Sequence, residues 1–217
     1  MIALLTGFYR EPHEARRAEL LECWRRNAAL DHIDAMHLLI EDDTTPESAI
    51  ELCPELAHPK VRLVPRGRRQ TFQEFFNYAA AELPHRRVVL ANADIYFDDS
   101  ITAVKRCDLR RNMIVLARWD VQADGSSKLH DVDFSQDAWI FQPPVKLRNC
   151  DFTLGVAGCE NRLAWAAHHI GRLKVENYAR TIRAHHLHLS GLRRWPATGL
   201  RIGGPGRRVR PKAMRAG

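Results

Sequence analysis

The 217-residue chain contains no apolar run approaching the ~18 residues that a membrane-spanning helix needs. Its apolar start, Met1-Ile-Ala-Leu-Leu5, meets polar residues too soon for a signal peptide. The five cysteines, Cys23, Cys53, Cys107, Cys150 and Cys159, are odd in number and form no C-x-x-C. That argues against a disulfide framework or a zinc knuckle and fits a reducing, cytoplasmic setting. No G-x-G-x-x-G follows the first apolar segment, no internal repeat is visible, and no acidic residue occurs from Arg193 to the end.

What is present reads as a globular chain. An apolar share of 45% is enough to bury a core. Lys and Arg number 33 against 26 Asp and Glu, a formal charge of +7, which favours anionic partners such as nucleotides, phosphates or an acidic membrane surface.

Strand and helix signals alternate. Ile2 to Leu5 reads as a first strand, Pro12 suits the first turn of a helix, and Leu20, Leu21, Trp24 and Ala28 repeat at helical spacing. Met36 to Ile40 and Val61 to Val64 read as strands, with a helix capped by Thr44 or Thr45 between them. Thr71 with Glu74 has capping-box spacing ahead of a helix to Ala81, and Val88 to Leu90 is a fourth strand. This alternation predicts a mostly parallel α/β sheet flanked by helices. Later, Met113–Ala117 and Ala138–Phe141 read as strands around a polar loop from Asp120 to Asp133. Cys159 to Ile170 reads as a helix ended by Gly171, and Ala184 to Leu189 alternates histidine with apolar residues. The basic tail has few apolar positions and is expected to pack poorly.

The most informative stretch is Arg87-Val-Val-Leu-Ala-Asn-Ala-Asp-Ile-Tyr-Phe-Asp-Asp99. A continuous apolar run marks a buried parallel strand, and ligands in open α/β sheets bind where such strands end. Here the strand ends in Asn92-Ala93-Asp94, where a carboxylate can hold a divalent metal against a diphosphate.

Four features stand in order: strand ends at Thr6 and Asp42, the Asn92-Ala93-Asp94 turn, the helix start Gly158-Cys-Glu-Asn161, and His185-His-Leu-His188. Together they resemble the GT-A class of nucleotide-sugar glycosyltransferases, nearest to bacterial family-2-like enzymes, over roughly Met1 to Arg194. The resemblance implies a single GT-A-like domain over residues 1–192. Residues 1–99 would form its nucleotide-binding half, 100–192 its acceptor and catalytic half, and 193–217 a basic tail. It also implies transfer of a sugar from a nucleoside-diphosphate sugar to a carbohydrate or lipid-linked hydroxyl acceptor, in polysaccharide or glycoconjugate synthesis.

In such enzymes an Asp-x-Asp motif binds metal and diphosphate; here Asn92 replaces the first carboxylate and Asp94 remains. The resemblance then casts Asp94 and His188 as ligands of Mn2+ or Mg2+, with His186 behind His188. It casts Glu160 as the base that deprotonates the acceptor, with Asp137 in reserve. Thr6, Phe8, Asp42, Arg69, Asn77 and Asn92 would contact the donor: Phe8 by stacking on the base, Arg69 by pairing with phosphate, Asn92 by accepting from a hydroxyl. Strand alternation alone puts His186 and His188 on one face and His185 on the other.

Three alternatives stand beside this reading. A nucleotidyltransferase uses a related sheet but usually carries a glycine-rich phosphate loop, which Thr6-Gly7-Phe8-Tyr9-Arg10 lacks. A nucleic-acid-binding protein would suit the basic tail, yet Trp195 stands alone there without the interleaved aromatics of a stacking platform. A binding module without turnover is the third. The tail also suits peripheral contact with anionic lipid at the inner face of a membrane.

Overall fold

The computed structural model describes residues 1–192 and 201–215. The elements run β1 (Ile2–Phe8), α1 (Glu14–Ala29), β2 (Ala35–Ile40), α2 (Pro46–Leu52), β3 (Val61–Pro65), α3 (Phe72–Glu82), β4 (Arg87–Ala91), β5 (Ile95–Phe97), β6 (Asn112–Leu116), β7 (Arg118–Val121), β8 (Ser127–Leu129), β9 (Ala138–Phe141), α4 (Cys159–His169), β10 (Lys174–Asn177) and β11 (Ala184–His186). A seven-stranded sheet has the order β10-β6-β9-β4-β1-β2-β3, and a four-stranded sheet the order β5-β11-β7-β8. In the large sheet β1 pairs in parallel with both β2 and β4, β2 with β3, and β6 with β10, while β9 runs antiparallel between β4 and β6. The chain is thus a mixed α/β, Rossmann-like fold with a mostly parallel central sheet, as the alternation predicts.

Strand pleating sorts the core into two layers. Ile2, Leu4 and Phe8 of β1 face α1, where Leu20 and Trp24 repeat one turn apart, and Phe8 stacks on Trp24 with ring centroids 4.4 Å apart. Ala3 and Leu5 face the other way, toward Phe72, Phe75 and Phe76 of α3 and Leu163 and Ala167 of α4. Burying aromatics of this size contributes ~2–3 kcal/mol each, so both helix layers are held mainly by these contacts. The capping box at α3 is present in full: Thr71 accepts from the Glu74 amide and Glu74 from the Thr71 amide. Thr45 caps α2 by accepting from the Ser48 amide.

Several expectations need correction. Pro12 lies ahead of α1, whose N-cap is His13. The stretch from Asp120 to Asp133 is not all loop: β7 and β8 form a hairpin there, closed where Gly125 takes φ 83 and its amide bonds Gln122. Strand β5 follows β4 after only the Asn92-Ala93-Asp94 turn, and β10 arises from the polar Lys174-Val-Glu-Asn177.

The C-terminal stretch 201–215 lies along the body. Amides of Ile202, Arg207, Val209 and Lys212 donate to carbonyls of Ala157, Asn161, Asp133 and Asn177. Asn177, fully buried, donates to the Val209 carbonyl at 3.1 Å and accepts from the amides of Ala117 and Ala179. Lys212 pairs with Glu176 at 2.6 Å. Backbone pairing thus supplies what the apolar content does not. Trp195 and the rest of 193–200 lie outside the described residues, as do 216 and 217. No helix among the described residues is long and apolar enough to cross a membrane.

Candidate active site

A cavity of about 1100 Å³ opens at the C-terminal edge of β1, β2 and β4. Its walls include Gly7 near the end of β1 with Tyr9 and Glu11 after it, Glu41 and Asp42 after β2, and Asn92, Ala93 and Asp94 after β4. The lining also includes Arg69, Leu154, Gly155, Ala157, Glu160 and Arg201, together with Arg16, Arg118, Asp137, His186 and His188.

Register explains how the acidic and histidine residues meet. The turn after β4 is closed by the Ile95 amide donating to the Asn92 carbonyl at 3.2 Å. β5 then pairs antiparallel with β11, placing Ile95 opposite His186, and the Leu187 amide donates to the Asp94 carbonyl at 3.0 Å. On its other side β11 runs parallel to β7, with His186 beside Asp120. His186 therefore stands between two carboxylates: Nδ1 lies 2.9 Å from Asp120 Oδ1 and Nε2 lies 3.3 Å from Asp94 Oδ2. His188, two residues on, lies on the same face with its ring centroid 5.4 Å from that of His186. His185 points away, bonds Asp98 at 3.0 Å and stacks on Tyr96, as strand alternation requires.

The charges at this corner are tightly matched. Burial opposes ionisation of Asp94, but His186 and Arg16 outweigh it and hold the carboxyl far below the usual range. Burial likewise opposes charge on His186, yet its bonds to Asp120 and Asp94 push it up to about 9. His188 is shifted the other way, by burial and by the nearby cations Arg16 and His186, so its imidazole is neutral at neutral pH. Arg16, from the first turns of α1, donates through Nη2 to Asp94 Oδ2 at 2.5 Å and through Nη1 to Glu19 and to the Leu187 carbonyl, both at 2.9 Å.

Asp94, His186 and His188 each bring one ligand atom within 4.8 Å of the others. One carboxylate and two imidazoles form a donor set that suits a transition ion such as Mn2+ better than Mg2+, which prefers oxygen. Asp120 on the far nitrogen of His186 is the outer-shell partner that orients a ligating histidine. The residues present fit a divalent metal, with His186 joining Asp94 and His188 once the ion displaces its Nε2 proton.

Glu160 sits in the first turn of α4, after Gly158, which caps the helix at φ 87. Burial is the main cause that raises its pKa, with Asp137 adding to it, up to about 7. Asp137, which the sequence places in a turn, is 7% exposed and precedes β9. Its Oδ1 accepts from Asn92 Nδ2 at 2.9 Å, its Oδ2 has no hydrogen-bond partner among the described residues, and Arg118 Nη1 lies 3.6 Å from that oxygen. Burial raises its pKa as well.

Of the donor-contact candidates, Asp42, Arg69 and Asn92 line the cavity. Asp42 accepts from the amides of Arg10 and Thr44, and Arg69 donates to the Leu154 carbonyl at 2.6 Å. Phe8 is fully buried against Trp24 and cannot stack on a base, because β1 turns it into the core. Thr6 is buried inside β1, and Gly7, on the same strand, lines the cavity. Asn77 is exposed on α3, bonded to Gln73, and does not line the cavity.

Arg16, Arg118 and Asp120 belong to the site without having been singled out in the sequence. Arg16 does carry a signal, since it precedes Leu20 and Trp24 by one and two turns on the buried stripe of α1. Arg118 and Asp120 alternate on a strand that the apolar pattern of β6 obscures.

No protein-family profile matches the sequence, and no curated protein matches it. Among solved structures, the chain is similar to the mannosyltransferase PcManGT from Pyrobaculum calidifontis, in complex with GDP-Man and Mn2+. The TM-score is 0.54 at 12% identity, over 86% of this chain and 56% of that one. The chain thus spans just over half the length of that enzyme. It is also similar to a candidate glucose-1-phosphate thymidylyltransferase from Bacillus anthracis, in complex with a sucrose. There the TM-score is 0.50 at 9% identity, over 82% of this chain and 87% of that one. Both likenesses are likenesses of fold.

Proposed function

We propose that the protein transfers a sugar from a nucleoside-diphosphate sugar to a hydroxyl acceptor, with Asp94 on the leaving-group side and Glu160 as base. One observation carries this reading. The two carboxyls wall one cavity at the end of the parallel strands, and their surroundings drive their pKa values apart, Asp94 far down and Glu160 up to about 7. Such divergence separates an always-charged electrostatic partner from a proton acceptor tuned to neutral pH.

In this reading the donor lies along the strand ends, where Asp42 and Arg69 line the wall. Asp94, His186 and His188 would hold a divalent ion, which when bound would supply Lewis-acid charge on the leaving-group side. Arg16, Arg69 and Arg118 add positive charge to the lining of the same cavity. Glu160 takes the acceptor proton as the acceptor oxygen attacks the anomeric carbon, and a base placed this way commonly contributes ~10²–10⁴-fold. One base on the face opposite the leaving group makes inversion the expected outcome. Asp137, gripped by Asn92, acts mainly through the field it adds at Glu160. The acceptor is a carbohydrate or lipid-linked hydroxyl, and the basic C-terminal stretch suits contact with an anionic membrane.

Thermal-shift screening against UDP, GDP, CDP and TDP with and without Mn2+ tests the reading, because a ligand that binds only the folded state raises the melting temperature. The expected result is a nucleotide shift that depends on Mn2+ and disappears in Asp94→Ala. Failure of every nucleotide to shift the melting temperature, with or without Mn2+, overturns it. Nucleotidyl transfer is the second reading, and the near-full-length match to the thymidylyltransferase fold speaks for it. The products decide between them: release of pyrophosphate from a nucleoside triphosphate favours nucleotidyl transfer, release of a nucleoside diphosphate favours sugar transfer.

A further inference from the structure

The corner around Asp94 has a feature that a metal site alone does not need. Arg16 puts a full positive charge against Asp94 Oδ2, the oxygen that also faces His186. A metal approaching Asp94 meets a guanidinium at 2.5 Å from its first ligand, and like charges at such range repel strongly in a buried setting. The Arg16 side chain is 9% exposed and lines the cavity. Its anchor is asymmetric. Nη1 is held by Glu19 and the Leu187 carbonyl, whereas Nη2 reaches Asp94. Glu19 is itself fixed by the amide and hydroxyl of Ser190. The Nη1 end can therefore stay in place while the Nη2 end turns toward an anion in the cavity.

We propose that Arg16 is the internal counter-ion of Asp94, and that the diphosphate of a nucleotide draws it away, so that divalent metal and nucleotide bind together and the metal alone binds poorly. This rests on the sugar-transfer reading and adds an order of assembly to it. Guanidinium matches phosphate oxygens in a bidentate fork, so the diphosphate offers Arg16 a partner at least as good as a carboxylate. Once Arg16 has turned, Asp94 Oδ2 keeps only His186, itself one of the proposed ligands, beside it. The coupling is reciprocal: metal tightens nucleotide by the factor by which nucleotide tightens metal. Arg16 also serves the reaction, because it ends beside the charge that builds on the leaving diphosphate.

The test is a Mn2+ titration of the full chain, followed by loss of the free-ion electron paramagnetic resonance signal. It is run with and without whichever of UDP, GDP, CDP or TDP gives the largest thermal shift. Phosphate oxygens ligate Mn2+ by themselves, so tightening by nucleotide in the wild type is expected but not diagnostic; the nucleotide-free arm decides. There, Arg16→Gln and Arg16→Met bind Mn2+ at least tenfold more tightly than the wild type, while Arg16→Lys, which keeps the charge, stays within a few-fold of it. Met fits a site that is almost fully enclosed, so one neutral variant keeps the test valid if the other folds poorly. Equal Mn2+ affinity in wild type and both neutral variants without nucleotide overturns the inference and leaves the sugar-transfer reading standing. No Mn2+ binding by any protein in any state removes the metal site and this inference with it.

Discussion

Replacing Glu160 with Gln separates catalysis from stability in a way that few substitutions do. The carboxyl is raised from an ordinary 4.5 to about 7, chiefly by burial. Each pKa unit is worth ~1.4 kcal/mol, so the ionised form costs the folded state about 3 kcal/mol, trimmed to about 2 by the water that reaches the cavity. The sign follows from proton binding. Between pH 4.5 and about 7 the folded protein holds a proton that the unfolded chain has released, so wild-type stability falls as pH rises through that window. Gln cannot ionise and removes the slope. Glu160→Gln is therefore expected to melt at the wild-type temperature at pH 4 and about 4–8 °C higher at pH 8, given ~2–4 °C per kcal/mol for a chain of this size. Turnover drops ~10²–10⁴-fold, and the wild-type rate climbs with pH to a plateau above a midpoint near 7, because the ionised form is the base. Paired calorimetric melts at the two pH values and a pH–rate profile check this. Equal melting of the two proteins at pH 8, or turnover retained by the variant, refutes the reasoning.

Asp94→Asn leaves Arg16 and His186 facing a neutral amide in a buried corner and is expected to cost ~3–5 kcal/mol, read by urea unfolding, together with loss of the Mn2+-dependent nucleotide shift. Phe8→Ala costs ~3–5 kcal/mol by emptying the space against Trp24, while nucleotide affinity in the folded fraction stays at the wild-type value, measured by calorimetric titration. Thr71→Ala removes one arm of the α3 capping box and lowers stability by ~1 kcal/mol in thermal denaturation. Asn177→Ala strips three hydrogen bonds from a buried position, costs ~1–3 kcal/mol, and speeds tryptic cleavage within 201–215, visible by mass spectrometry.

The large sheet is legible in the sequence because its central strands are buried on both faces and read as unbroken apolar runs, Ile2 to Leu5 and Val88 to Leu90 being the clearest. The capping residues Thr45 and Thr71 are equally visible, since their chemistry is local. The small sheet is not. β7 is half polar, and its pairing with β11 is decided by residues distant in sequence, Asp120 beside His186; the equally polar β10, at the edge of the large sheet, escapes notice for the same reason. In the site, Asp94, Glu160, Asp137, Asn92 and His188 stand at strand ends and a helix start, and the fold gathers them around one cavity. Phe8 and Asn77 fall elsewhere, because a period-2 or period-3.6 guess one position out turns a side chain to the opposite face. Arg16 is hidden differently: a lone arginine on an apolar stripe has no meaning until its carboxylate is in place.

The corner that holds Asp94 is stitched from β5, β7 and β11, which meet only after the chain has travelled from one half of its length to the other. Such non-local pairings are the slowest to form. A nascent molecule can thus complete its β1–β2–β4 platform while its histidines are still unplaced, and the Asp94–His186 corner forms only when the last rung closes. Trp119, whose indole donates to the Ala179 carbonyl beside that rung, reports the closing of the corner by fluorescence once the other four tryptophans are replaced.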